Sequence, residues 1–132
     1  MLMIRNYSHS DYGMIKQWWE EAQQCVPPEH HMPEESSFVL ELDGVPSLAV
    51  SLYMTNVDIA WVDNLIGNPK MKGEDRKKAV KVLLDRLEEF CKSKGKRVLF
   101  CMSLSDATTR RYEQLGFLKS QNGVSTFIKE IK

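Results

Sequence analysis

The stretch Asn64-Leu65-Ile66-Gly67-Asn68-Pro69-Lys70-Met71-Lys72-Gly73-Glu74-Asp75-Arg76-Lys77-Lys78 leads from an apolar segment, through a Gly-Asn-Pro break, into a long helical pattern. Ala79, Val80, Leu83, Leu84, Leu87, Phe90 and Cys91 follow at three- and four-residue spacing, the mark of one apolar helix face. Asp85, Glu88, Glu89, Lys92 and Lys94 fill the opposite face. Gly95 is placed to end the helix, because glycine enters the left-handed conformation without a Cβ clash. The nearly continuous apolar run 97–103 comes next and suits a strand buried on both faces. A strand, a crossover helix and a second strand pair in parallel, so this stretch sets the fold class as α/β.

The helix start is basic, with Arg76, Lys77 and Lys78 in its opening turns and Lys70 and Lys72 just ahead. Cations there oppose the helix dipole by about 0.3–1 kcal/mol each when exposed. A bound polyanion would reverse that sign, since free N–H groups at a helix start favour phosphate. The stretch alone reads equally as an anion site or as a solvated turn offset by Glu74 and Asp75.

Toward the N-terminus, residues 1–7 read as a strand and Ser8-His9-Ser10-Asp11 has the form of a capping box. Ile15, Trp18, Trp19 and Ala22 follow at helical spacing, with the tryptophans as core anchors. Pro27-Pro28 and Pro33 break residues 25–37 into a loop expected to line a substrate cleft. His30-His31 within it lacks the further ligands a metal site requires. Residues 38–42 and 45–54 flank Asp43-Gly44, a tight hairpin signal, and residues 57–66 supply a third strand. Pro46 predicts that the second of these strands starts late or lies at an edge. Downstream, Ser105-Asp106 cap a helix over 107–115 that stops at Gly116. Two closing strands, 117–120 and 125–131, are expected around Gln121-Asn122-Gly123. The expected architecture is a mixed central sheet, mostly antiparallel with one parallel pair around the crossover helix, flanked by helices.

With 132 residues, 42% hydrophobic and 27% charged, the chain reads as a single domain, 1–132. A net charge of +0 gives no bulk attraction to nucleic acid or to an anionic membrane. The three cysteines, Cys25, Cys91 and Cys101, show no metal or redox spacing and read as reduced thiols. The N-terminus turns polar too early for a signal peptide, so a cytoplasmic location is expected.

The element order, together with Ser105-Asp106-Ala107-Thr108-Thr109-Arg110-Arg111-Tyr112-Glu113-Gln114-Leu115-Gly116-Phe117, resembles the Gcn5-related N-acetyltransferase family. That family carries an Asn-x-x-Ala-x-x-Leu-Tyr-x-x-x-Gly-Phe segment here, and Tyr112, Gly116 and Phe117 match it. The opening strand followed by Asp11 and an amphipathic helix is also similar to the family's start. The resemblance implies acetyl-CoA as co-substrate and a small-molecule or peptide amine as acceptor. It implies a splayed strand whose backbone near Leu65 and Ile66 meets the thioester carbonyl, and Tyr112 as the acid that protonates the leaving thiolate. The family's glycine-rich phosphate loop aligns with Asp75-Arg76-Lys77-Lys78-Ala79-Val80, where neither glycine is present. Gly73, Arg76, Lys77, Lys78 and Ala79 are therefore the candidate cofactor-binding residues, and Ser105 or Asp106 takes the place of the usual Asn.

Acyl transfer needs a deprotonated amine, a polarised carbonyl and a protonated leaving group. Asp63, late on the third strand of the meander, is the best-placed carboxylate for the first of these. Water and His31 are the other routes for the proton. Three functional classes remain: an N-acetyltransferase, a non-catalytic domain of the same shape serving as an interaction module, and a nucleic-acid binder using the lysines between 70 and 81. Zero net charge and the absence of interleaved aromatics weigh against the third. The chain is expected as a monomer or a homodimer.

Overall fold

Asp43 and Gly44 take φ values of 50° and 81°, the double left-handed geometry of a two-residue hairpin turn. The turn joins β2 (Ser37–Leu42) to β3 (Val45–Met54) in antiparallel register. β1 (Leu2–Asn6) pairs antiparallel with β2, β4 (Ile59–Gly67) antiparallel with β3, and β5 (Val98–Phe100) parallel with β4. The sheet order is β1-β2-β3-β4-β5. The computed structural model describes residues 1–132 except Leu104, and the chain divides into two units, Met1–Met102 and Ser103–Lys132.

In the first unit α1 (Tyr12–Glu21) and α2 (Gly73–Ser93) cover opposite faces of the sheet. Ile15 and Trp18 of α1 cluster with Tyr7, Met32, Val39 and Ala49. Phe90 of α2 stacks edge-on against Phe38, the strand neighbour of Val39. Successive strand residues point to opposite faces, so both sides of β2 are sealed. The predicted apolar face of α2 is the buried one, with Ala79, Val80, Leu83, Leu84, Leu87 and Cys91 all inside. Gly95, at φ 75°, ends it: Lys96 N–H reaches the Cys91 carbonyl and Gly95 N–H that of Lys92. Among the described residues no helix is long and apolar enough to cross a membrane.

Several expectations need correcting. β3 begins at Val45 and so does not start late, but β4 pairs with it only from Leu48 onward, so Pro46 lies at a local edge as expected, where a missing N–H is tolerated. α1 ends before Ala22, which is exposed, because Gln23 turns left-handed at φ 57°. β5 is short and half open, with Val98 46% and Phe100 37% exposed, since no strand flanks its outer side among the described residues.

The second unit holds α3 (Asp106–Gln114), capped by Ser105, whose hydroxyl accepts from Thr108 N–H at 3.2 Å. The closing strands expected over 117–120 and 125–131 are not formed: no strand occurs between 117 and 132. Gly123 does adopt φ 65°, so the Asn-Gly turn conformation is present without the pairing it was expected to nucleate.

Candidate active site

The site begins with one residue that breaks the sheet. Asn64 takes φ 56° in the middle of β4. The register with β3 steps from Ser51↔Asp63 to Ala49↔Ile66, so Asn64 and Leu65 together face the single residue Val50. This two-against-one arrangement is a β-bulge, and it bends the strand. Three hydrogen bonds hold it. Asn64 N–H donates to Asp63 Oδ1 at 2.7 Å, Asn64 Nδ2 donates to the Tyr53 hydroxyl at 2.8 Å, and that hydroxyl donates to the His31 carbonyl at 2.8 Å. Burial pushes the Tyr53 phenol up, the bond from Asn64 opposes the rise, and the Asp63 charge adds to it.

On its other side β4 meets β5 only at Ile59↔Val98, Ala60↔Leu99 and Trp61↔Phe100. Beyond Trp61, no strand pairs with that edge among the described residues, although β4 continues to Gly67. The result is an open backbone edge next to a bulge, partly exposed from Asp63 to Asn68.

At the far end of this edge lies the start of α2. A Cβ on Gly67 would come within 3.3 Å of both the Arg76 guanidinium and Leu48, so the backbone is bare there because Arg76 folds across it. Arg76 Nη2 donates to the Asn68 carbonyl at 3.3 Å. Asn68 braces the rest of the loop: its N–H reaches the Ser47 carbonyl, its Nδ2 the Pro46 carbonyl, and its Oδ1 accepts from Lys70 N–H. The first helical bond runs from Arg76 N–H to the Lys72 carbonyl. The N–H groups of Gly73, Glu74 and Asp75 precede it, and Lys72 gives them no side-chain cap. Lys70, Lys72, Lys77 and Lys78 are exposed and form no ion pair among the described residues. A hollow of about 130 Å³ beside the loop is lined by Gln17, Trp18, Glu21, Asn68, Pro69 and Lys70. That is below the roughly 300 Å³ of an ordinary ligand pocket.

No family model matches the chain, and no curated protein does. Solved structures do. Glucosamine-6-phosphate N-acetyltransferase from Arabidopsis thaliana is 16% identical over 98% of this chain and 99% of its own, with a TM-score of 0.70. An aminoglycoside acetyltransferase from an uncultured soil metagenomic sample is 14% identical over 99% and 97%, TM-score 0.72. A predicted acetyltransferase from Clostridium acetobutylicum, solved with acetyl-CoA, is 11% identical over 96% of each chain, TM-score 0.68. The chain has the fold of the Gcn5-related N-acetyltransferases.

Within this acetyltransferase fold the candidate residues divide between the two units. Asp63, Leu65, Ile66, Gly73, Arg76, Lys77, Lys78 and Ala79 belong to Met1–Met102, and Ser105 and Tyr112 belong to Ser103–Lys132. Asp63, Leu65 and Ile66 are brought to the bulge, and Gly73 and Arg76 to the helix start. Ala79 is fully buried inside α2, which runs over 75–80, where the family's glycine loop would align. The amides ahead of the first helical bond are those of residues 73–75. Ser105 spends its hydroxyl on the α3 cap, accepting from Thr108 N–H and donating to Thr108 Oγ1 at 2.9 Å. Tyr112 is 9% exposed and its ring packs on Phe117 at 5.3 Å. Phe117 N–H also bonds the Tyr112 carbonyl, with Gly116 at φ 92° between them. The Tyr-x-x-x-Gly-Phe spacing thus builds a Schellman helix end, glycine supplying the left-handed turn and the aromatic pair its apolar contact. Sequence reading passed over Tyr53, Asn64 and Asn68 as organisers of the site. The signal available was asparagine itself, which tolerates left-handed backbone better than any branched residue.

Proposed function

We propose that this chain is an acetyl-CoA-dependent N-acetyltransferase that acylates an amine of a small molecule or peptide by direct transfer. The observation that carries the reading is the bulged β4, whose outer edge beyond Trp61 pairs with no strand among the described residues and leads to a helix start without a side-chain cap. The residues present fit a phosphate-bearing thioester: three first-turn N–H groups and exposed lysines supply donors and positive charge. Bound acetyl-CoA would supply the acyl group as a thioester. Gly73 with Lys77 and Lys78 would meet its phosphates, while Arg76, tied to the Asn68 carbonyl, stiffens the loop beneath them. Backbone N–H groups of Leu65 and Ile66 are the donors for the carbonyl oxygen as charge develops on it. Asp63 has one oxygen held by Asn64 N–H, which leaves the other to take the amine proton. Tyr112 is assigned the proton given to the departing thiolate, as the phenol in the matched position.

Calorimetric titration with acetyl-CoA tests this. Micromolar binding is expected, weakened about tenfold in Lys77→Ala/Lys78→Ala and falling with salt as exposed charges are screened. No binding in the millimolar range would remove the enzyme reading. It would favour an interaction module instead, a reading supported by α2 having replaced the glycine loop over 75–80.

A further inference from the structure

We infer that the acceptor is a primary amine joined by a short alkyl arm to an aromatic ring, not an amino sugar or sugar phosphate; this rests on the acyl-transfer reading above. Tyr53 of β3 pairs across the ladder with Trp61 of β4, and Trp61 with Phe100 of β5. Residues in register share a sheet face, so three aromatic side chains stand in one row. Trp61 and Phe100 stack with centroids 4.5 Å apart at 39°, and the row keeps an open side: Phe100 is 37% exposed, Tyr53 and Trp61 partly so. This row marks the point where β4 and β5 part and the open edge begins.

Asp63 lies two residues further along β4, on the same face and about 7 Å on at the usual strand rise. It is the only charged residue among strand positions 51–53, 59–63 and 98–100, none of which is Lys or Arg. A ligand on this face therefore meets aromatic rings at one end and one carboxylate at the other. A protonated amine complements Asp63 and the electron-rich ring faces together. A flat apolar body complements the Trp61–Phe100 stack through area and ring contact. Hydroxyls of a sugar seated on the rings would lose water where only ring faces meet them, and a phosphate would meet the Asp63 charge with no Lys or Arg at these strand positions. In an amine with two methylenes the nitrogen sits about 5 Å from the ring centre, and a hydrogen bond of about 2.8 Å from it to a carboxylate completes a span close to the 7 Å between ring row and Asp63.

The test is calorimetric titration of 2-phenylethylamine and of glucosamine 6-phosphate into the wild type, Trp61→Ala, Trp61→Phe and Asp63→Asn, with acetyl-CoA titrated separately into each. 2-Phenylethylamine should bind wild type at least about tenfold more tightly than the sugar phosphate. It should lose about tenfold or more in Trp61→Ala and Asp63→Asn, and stay within about threefold in Trp61→Phe, which keeps a ring and guards against a folding artefact. Equal or tighter binding of the sugar phosphate, no binding of the arylalkylamine, or indifference of its binding to Trp61→Ala would each overturn the inference. These outcomes are read on the amine titration, whereas failure of the acyl-transfer reading is read on the acetyl-CoA titration.

Discussion

Asn64 combines two demands that few side chains meet. Its backbone is left-handed at φ 56°, and its amide must reach the Tyr53 hydroxyl. A β-branched residue in that conformation costs on the order of 1–3 kcal/mol, whereas glycine adopts it freely. Asn64→Val is therefore expected to lower unfolding free energy by about 2 kcal/mol in urea titration, from strain plus the lost bond. Asn64→Gly loses the bond alone and should cost about 1 kcal/mol or less. Equal costs for the two would mean that the bulge does not constrain this residue. Little of this is legible in a linear chain. Asn64 ahead of Gly67-Asn68-Pro69 looks like an ordinary strand end, and its partner Tyr53 is brought opposite only by the register of β3 and β4. Asp63 could be singled out by its position late on the third strand of the meander, but its hydrogen bond from Asn64 N–H could not.

The joint between β1 and α1 shows what sequence can and cannot say about elements. The Ser8–Asp11 capping box was readable from spacing and is present, with Ser8 N–H donating to Asp11 at 3.0 Å. The role of Arg5 was not readable, because it depends on strand pairing that sets Arg5 beside Glu41. Arg5 forks onto both oxygens of Asp11 at 2.8 and 2.9 Å and bonds Glu41 at 2.9 Å, so one guanidinium ties β1, β2 and the entry to α1. The bond from Arg5 holds the Asp11 carboxyl below its ordinary range, against a smaller opposing effect of burial. A carboxyl depressed in the folded state adds stability that is complete above the unfolded value of about 3.9. The contribution shrinks below that value and is gone once pH has fallen past the folded one. Asp11→Asn should thus cost about 2 kcal/mol at pH 7, and the gap to wild type should narrow in denaturation curves as pH falls below about 3.9. A gap that stays constant with pH would assign the loss to packing and not to the charge.

Across the whole molecule, the parts that sequence predicted best were those with one dominant local signal. The α2 face, its Gly95 stop and the Asp43-Gly44 hairpin came from periodicity and turn stereochemistry, and the parallel pair around α2 came from crossover geometry. The part that departs most is 117–132. Its alternating apolar residues and Asn-Gly turn predicted a hairpin, yet it forms no strand, and Phe127, Ile128 and Ile131 are 91%, 100% and 93% exposed. Strand propensity becomes structure only when a neighbouring strand or helix covers the apolar face. The contrast with β2 and β3, where Val39, Leu40, Ala49 and Val50 are fully buried, should be plain in amide hydrogen exchange. Amides of β2 and β3 are expected to exchange at least on the order of a thousandfold more slowly than those of 117–132. Protection equal to that of β2 in dilute protein would show that the hairpin forms within one chain. Protection that grows with protein concentration would show that a second copy supplies the missing pairing, since exposed apolar strands of this kind associate edge to edge, and of the two states expected from sequence, monomer or homodimer, the second would then rest on this segment.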